Sequence, residues 1–415
     1  MFENNYNFTC VDRFLRYVKF DTQSDDDSES FPSTEKQKNL SKELAKELKE
    51  MGLEDAHMDE NGYVMATLPS NSNKNIPVIG FISHVDTSPA VTGANVNPVI
   101  TKNYQGGDIK LQKGGVVIKE TENPDLKNMI GFDIITTDGT TLLGADNKAG
   151  VAEIMDAVNY FISHPEIKHG TLKICFTPDE EVGRGTEKFE VKKFGAQYAY
   201  TVDGQSRGEV ETETFSADGV IVKFIGKNIH PGYAKGIMIN SMKIASAFID
   251  SLPKDKLSPE TTEKREGYFH PTSINGNEEL TTIKFIIRDF ETPKLKEYEN
   301  ILKDLAEKAV KKFPGSKLEF EINEQYRNMK EILVRHPQVE KYAIEAMEHF
   351  GIKPIINPIR GGTDGSRLSF MGLPCPNIFA GEHSFHSKEE WIAKQDMEMA
   401  VKVIVEIAKI WEERS

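Results

Sequence analysis

Two glutamates stand side by side in Thr177-Pro178-Asp179-Glu180-Glu181-Val182-Gly183, directly after the apolar run 171–176. Adjacent carboxylates at the end of a buried strand suit a site where one holds a metal and its neighbour moves protons; a solvated acidic turn is the plain alternative. Other metal-ligand residue types recur in comparable places. His84 and Asp86 follow the apolar run 78–83, and period two along a strand puts them on one side. A carboxylate beside the second ring nitrogen of an imidazole is the usual arrangement at zinc. Asp146 lies in Gly144-Ala145-Asp146-Asn147-Lys148-Ala149-Gly150, ahead of the apolar-periodic segment 151–161. There an aspartate serves as a helix N-cap or as a carboxylate bridging two metals, with small neighbours permitting close approach. Asp203 follows the run 196–202, and Glu382-His383-Ser384-Phe385-His386-Ser387 offers His383 and His386. Two histidines and three carboxylates suit two zinc ions, one carboxylate bridging. Glu180 is then free to act as general base toward the attacking water and to protonate a leaving amine.

The elements that must position these residues read as an open α/β domain, a mostly parallel sheet flanked by helices. Strands are expected over 78–83, 171–177, 196–202 and 377–380, and helices over 12–19, 33–51, 151–161, 337–350 and 396–411. Ser33-Thr34-Glu35-Lys36 supplies capping residues for the second helix and Gly52 its stop. Asn61-Gly62 reads as a hairpin turn. Residues 91–138, rich in Gly, Asn and Pro, read as a hairpin-bearing insertion beside the site. His84, Asp146, Glu181 and Asp203 are thereby expected at strand ends, where sites of open α/β sheets collect.

The middle of the chain changes pattern. Strand 215–225, helix 237–252, hairpin 268–275 and 281–288, helix 294–313 and strand 317–322 give the order β-α-β-β-α-β, the split ferredoxin-like unit. Residues 210–324 are thus expected as an inserted α+β lid domain, with 1–209 and 325–415 forming the catalytic domain. His230, on the loop Asn228-Ile229-His230-Pro231-Gly232, is either a solvated histidine or one that closes over a substrate. Arg288-Asp289 is a surface ion pair or a clamp for a carboxylate. The glycine-rich loop led by Arg360 is by itself a weak anion-binding signal.

A chain of 415 residues accommodates two domains. A net charge of −14 argues against nucleic-acid or anionic-membrane partners. Cys10, Cys175 and Cys375 are too scattered for a disulfide framework or a thiolate site. The polar start and the lack of a bilayer-length apolar run lead to the expectation of a cytoplasmic enzyme or binding protein.

The motifs HVDT (84–87), GADNKAG (144–150), PDEEVG (178–183), VDG (202–204), NIHPG (228–232) and RGGTDG (360–365) together resemble the co-catalytic zinc exopeptidases related to aminoacylase and carnosinase. YQGGDI (104–109) and FHS (385–387) favour the tripeptide aminopeptidase branch, and the resemblance spans essentially the whole chain. It implies a zinc-exopeptidase-like fold in which His84 and Asp203 bind one zinc, Glu181 and His386 the other, and Asp146 bridges. It makes Asp86 the residue orienting His84, Glu180 the base and His230 the oxyanion stabiliser. Arg288, Asn240 and Arg360 resemble positions that engage the substrate backbone or carboxylate. His383 is not needed by the pattern and is expected in a supporting or surface role. The implied cofactor is two Zn2+ per subunit, with Co2+ or Mn2+ able to substitute, and the implied activity is release of the N-terminal residue from tripeptides. Alternatives on the same metal pair are a dipeptidase, a carboxypeptidase or an N-acyl amino acid deacylase; a third is a non-enzymatic peptide-binding protein. The edge strands of the inserted domain offer a surface for a homodimer.

Overall fold

The computed structural model describes residues 2 and 6–415. The chain forms two compact units. Unit 1 takes the stretches up to Thr212, Ile332–Asn357 and Thr363–Ser415; unit 2 takes Glu213–Glu331 and Pro358–Gly362.

Unit 1 is built on a seven-stranded sheet. Its strands are β1 (His57–Met58), β2 (Val64–Leu68), β3 (Ile79–His84), β4 (Leu172–Thr177), β5 (Tyr198–Gly204), β6 (Val210–Glu211) and β7 (Asn377–Phe379), in the order β1-β2-β4-β3-β5-β7-β6. The four central strands, β4, β3, β5 and β7, run parallel, while β1, β2 and β6 pair antiparallel at the edges. Every residue of β3 is buried, as a strand covered on both faces requires. The helices α1 (Cys10–Tyr17), α2 (Gln37–Glu50), α3 (Ala145–Ser163), α4 (Pro337–His349) and α5 (Lys394–Glu413) contribute to the main core. A separate apolar cluster includes Ile82, Cys175 and Ala199 with Phe194, Leu368 and Cys375. The three cysteines are free and buried.

Two features differ from the expectations. Asp146 does not end a strand of this sheet. The strand before it, Ile134–Thr137, belongs to a small antiparallel sheet with Pro98–Thr101, Trp391–Ala393 and Glu382–His383. The 91–138 insertion carries the expected hairpin, Ile109–Lys110 with Val117–Ile118, and in addition pairs with the C-terminal segment that carries both candidate histidines. Asp146 sits in the opening turn of α3 behind the left-handed Gly144, with Asp146 and Asn147 outside helical φ/ψ. Second, Ser33 and Thr34 do not cap α2. That helix begins after Lys36 with no side-chain cap, and the Ser33 side chain bonds to Asp179 instead.

Unit 2 is a four-stranded antiparallel sheet in the order 268–276, 280–289, 216–225, 317–326, with helices Ser241–Asp250 and Thr292–Lys311. The sequence order is β-α-β-β-α-β, the split ferredoxin-like arrangement. Its own core joins Val220, Val222 and Phe224 to Phe248, Phe285, Ile287 and Leu302. Pro358–Gly362 belongs to this unit, so Arg360 lies in it, not in the sheet-bearing unit where the sequence reading put it. Among the described residues, no helix is long and apolar enough to cross a membrane.

Candidate metal centre

His84, the last residue of β3, is almost fully buried. Its Nε2 lies 2.9 Å from Asp146 Oδ1 and 3.3 Å from Asp203 Oδ1, and its Nδ1 lies 3.3 Å from Asp86 Oδ1. The other oxygen of Asp146 lies 3.1 Å from His386 Nε2, which is also 2.7 Å from Glu181 Oε2. Two potential ligand groups result, His84–Asp146–Asp203 and Asp146–Glu181–His386, with the ligand atoms of each within 4.8 Å of one another. Asp146 is the shared member, one carboxylate oxygen facing each histidine.

The residues fit a pair of divalent cations. The donor set is two imidazoles and three carboxylates, and Glu181 Oε1 is buried without a hydrogen-bond partner among the described residues, while Asp203 Oδ1 has the 3.3 Å approach of His84 Nε2. Buried carboxylate oxygens left unpaired are costly, and a cation removes that cost. Burial pushes the His84 imidazole down, but Asp203, Asp146 and Asp86 outweigh it and hold it well above its ordinary value. His386, also opposed by burial, is pushed up to about 11 by Asp146 and Glu181. Burial, then Asp146, raises Glu181 to about 8. Asp146 is held low because the two histidines together overcome its burial.

Asp86 has two tasks. Beside His84 it fixes the imidazole, and its oxygens accept the backbone N–H groups of Glu180 at 3.0 Å and Glu181 at 3.1 Å. One buried carboxylate thus sets both the histidine and the glutamate pair. The Glu180 carboxylate itself makes no hydrogen bond among the described residues. Burial holds it well above the usual carboxylate range, with His84 opposing and Asp203, Asp364 and Glu181 adding. The site therefore keeps one unbound carboxyl group, with raised proton affinity, beside two ligand sets.

Several buried acids that sequence reasoning passed over support this centre. Glu390 accepts the N–H groups of Leu143, Gly144 and Asp146 at 2.7, 2.8 and 3.0 Å and so shapes the turn that presents Asp146. Asp364 accepts the Thr177 hydroxyl at 2.9 Å. It lies in the RGGTDG motif that the sequence marked for its arginine. Glu382 is buried with Oε2 unpaired, and burial, Asp146 and Asp203 raise its carboxyl. Glu390 carries no signal beyond being an acid next to the strand Trp391–Ala393.

His383 is not on the surface: it is buried, stacks on Trp391 with ring centroids 3.9 Å apart, and its Nδ1 lies 3.6 Å from Asp125. It joins neither ligand group.

Four proposed substrate-facing residues lie in unit 2 and are described there. His230 Nδ1 accepts the Gly232 N–H at 3.1 Å on an exposed loop, which leaves Nε2 to carry the proton in the neutral ring. Asn240 caps the helix Ser241–Asp250 by accepting the Met242 N–H at 2.9 Å. Arg288 is half-buried, lies 5.3 Å from the Tyr326 ring centre and donates to the Ile287 carbonyl; it makes no ion pair with Asp289, which accepts the Tyr298 hydroxyl at 2.7 Å. Arg360 donates to the carbonyls of Lys264, Glu266 and Thr262 and lies over the rings of Phe215 and Tyr268. Its donors are engaged within unit 2.

An α/β sheet whose strand ends and adjoining loops gather two potential metal-ligand groups sharing Asp146 has the build of a metal-dependent hydrolase. The chain belongs to Peptidase family M20/M25/M40, whose family model matches residues 132–410. More narrowly, relatives matched over nearly its full length include Peptidase T proteins. That of Geobacillus kaustophilus (strain HTA426) is 52% identical over 408 residues, 98% of each chain. The fold is also that of the aminopeptidase PepT from Bacillus cereus ATCC 10987, with a TM-score of 0.74 at 22% identity over 97% of this chain and 98% of the other. A tripeptidase from Staphylococcus aureus gives a TM-score of 0.73 at 20% identity over the same shares. The protein is a peptidase, an enzyme of the hydrolase class.

Proposed function

We propose that the protein is a metallo-aminopeptidase that releases the N-terminal residue of tripeptides. The observation that carries this reading is the divided Asp146 carboxylate: one oxygen faces His84 and Asp203, the other His386 and Glu181. In this reading His84 and Asp203 hold one zinc ion, Glu181 and His386 the second, and Asp146 joins them, with cobalt or manganese able to substitute. Such a pair supplies Lewis acidity toward the scissile carbonyl and a water acidic enough to attack at neutral pH. Asp86 holds His84 in its tautomer and, through the Glu180 N–H, aims the base. Glu180, bound to neither ion, takes a proton from the attacking water and returns it to the departing amine. His230 presents Nε2–H as the donor for the developing oxyanion. Asn240 and Arg288 hold the peptide's backbone and carboxylate; Arg360 supports their unit through the carbonyls of residues 262–266. The free edge strand Tyr268–Gly276 carries the exposed Ile274, which supports a homodimer through unit 2, and the site is read as acting in the cytoplasm.

The test is a peptide panel with and without a chelator. The zinc-loaded protein is expected to cleave tripeptides with a free amine at the first bond, to leave dipeptides and N-acylated tripeptides intact, and to lose activity to the chelator. Cleavage of N-acylated peptides, or of the C-terminal bond, would overturn the assignment.

A further inference from the structure

The loop that carries Glu180 and Glu181 is anchored by a second buried carboxylate, which has no part in the ligand groups. Asp179 is fully buried and sits at φ 59°, in the left-handed region, where aspartate is tolerated only as an isolated residue. What holds it there comes from the segment before α2, 146 positions away in sequence. The Ser33 N–H donates to Asp179 Oδ2 at 2.6 Å, and the Ser33 hydroxyl donates to Oδ1. Gln37 Nε2 donates to Oδ1 at 2.7 Å, and the Asp179 N–H donates back to Gln37 Oε1 at 3.1 Å. The Asp179 carbonyl accepts the Arg184 N–H at 2.8 Å, closing the loop on itself.

The same segment also grips the other catalytic strand end. Gln23 pairs with Thr87 in a parallel bridge, Ser24 N–H donates to the Thr87 carbonyl at 3.1 Å, and Thr87 N–H to the Thr22 carbonyl at 3.3 Å. Thr34 donates to the Gln23 carbonyl at 2.7 Å. Residues 22–37 thus form a strap between the strand end bearing His84 and Asp86 and the loop bearing Glu180.

We infer that Asp179, gripped by Ser33 and Gln37, is a positioning residue for the base: the strap fixes where the Glu180 carboxylate stands relative to the two ligand groups. The inference rests on the reading of Glu180 as the base. A clamp of this kind acts on turnover more than on binding, since the residues that hold the substrate and the ions are untouched. A misplacement of 1 Å costs roughly 10²-fold in rate.

The experiment compares Asp179→Asn, Gln37→Glu and the double variant, all zinc-loaded and full-length. Asp179→Asn sets an amide against the donor Gln37 Nε2 or the donors of Ser33; Gln37→Glu sets a carboxylate against a carboxylate. The double variant restores one donor facing one acceptor. Each single variant is expected to lower kcat by about 10- to 100-fold, with KM and zinc content within about twofold of wild type, and the double variant to recover most of the loss. Ser33→Ala, which removes a single hydroxyl, gives the milder reading should the charge variants fold poorly. Wild-type kcat in Ser33→Ala and Asp179→Asn overturns the clamp, as does a double variant that loses the product of the single losses. Glu180→Gln measured in parallel separates the two readings. Full turnover there defeats the base itself, whereas an inactive Glu180→Gln beside a fully active Asp179→Asn defeats only the clamp.

Discussion

Glu181 Oε2 lies 2.7 Å from His386, while the neighbouring Glu180 carboxylate is bonded to nothing among the described residues, so the two acids should fail in different ways. Glu180→Gln leaves both ligand groups whole; two metal ions per chain should remain by elemental analysis while kcat falls by about 10² to 10⁴. Glu181→Gln removes a ligand, and the expected result is loss of roughly one ion on dialysis. The two ligand groups also make a pH prediction. His386 is pushed up to about 11 and His84 well above its usual value, so both imidazoles hold a proton more tightly in the metal-free protein than a free histidine does. A metal needs them neutral. The loaded site therefore binds fewer protons than the empty one, and metal affinity must rise with pH. Zinc added at pH 7.5 in weak buffer with an indicator dye should release protons, and apparent affinity should fall steadily from pH 8 to pH 6. Affinity independent of pH over that range would contradict the raised proton affinity of the two imidazoles.

At the scale of elements, α3 has to bring Asp146 close to the ends of β3 and β5. Gly150 permits this: a Cβ there would meet the Val202 carbonyl oxygen at 2.0 Å and Ser83 Oγ at 2.6 Å. The clash with Val202 is with backbone, which cannot rotate away. Gly150→Ala is expected to destabilise unit 1 by about 1–3 kcal/mol through overpacking and to weaken metal retention, read as a lower thermal midpoint with lower zinc content. Unchanged values in both would show that helix and strand have room to part. The sequence marked this small-residue run as a place of close approach, and it marked the ligand residues because their types are rare at the ends of apolar runs. The partners of those residues were not legible. Glu390, Asp364 and Asp179 work by accepting N–H and O–H groups from distant positions, and no local spacing encodes such pairs. Ser33 shows the cost of local reasoning: a serine ahead of an amphipathic helix reads as a cap, yet its hydroxyl is better used on a buried carboxylate, where a lost bond is more expensive.

For the whole molecule, the division into two units separates the two potential ligand groups from the residues proposed to face the substrate. Both ligand groups lie in unit 1, whereas His230, Asn240, Arg288 and Arg360 lie in unit 2. The β-α-β-β-α-β order of unit 2 was readable from its alternation, because Ser216–Ile225 buries every second residue from Val220 onward. That Pro358–Gly362 returns to this unit was not readable, since it depends on an added pairing: Phe215 N–H to the Ile359 carbonyl at 3.1 Å and Ile359 N–H to the Glu213 carbonyl at 2.8 Å. Arg360 completes the return by donating to three carbonyls of residues 262–266 while its guanidinium lies 5.2 Å from the Phe215 ring centre. A donor fork already used in this way has little left for a substrate carboxylate. Arg360→Met keeps much of the stacking volume and removes the donors, leaving carbonyls that water partly reaches. The expected loss is about 1.5–3 kcal/mol, the range of hydrogen bonds to a charged group, seen as a lower unfolding midpoint. Zinc content should be unchanged and KM for a tripeptide should rise less than about threefold, because unit 1 and the residues proposed to hold the peptide are intact. A KM rise of tenfold or more (about 1.4 kcal/mol) with no change in midpoint would instead return Arg360 to the substrate, and would require its guanidinium to leave the carbonyls of residues 262–266 during turnover.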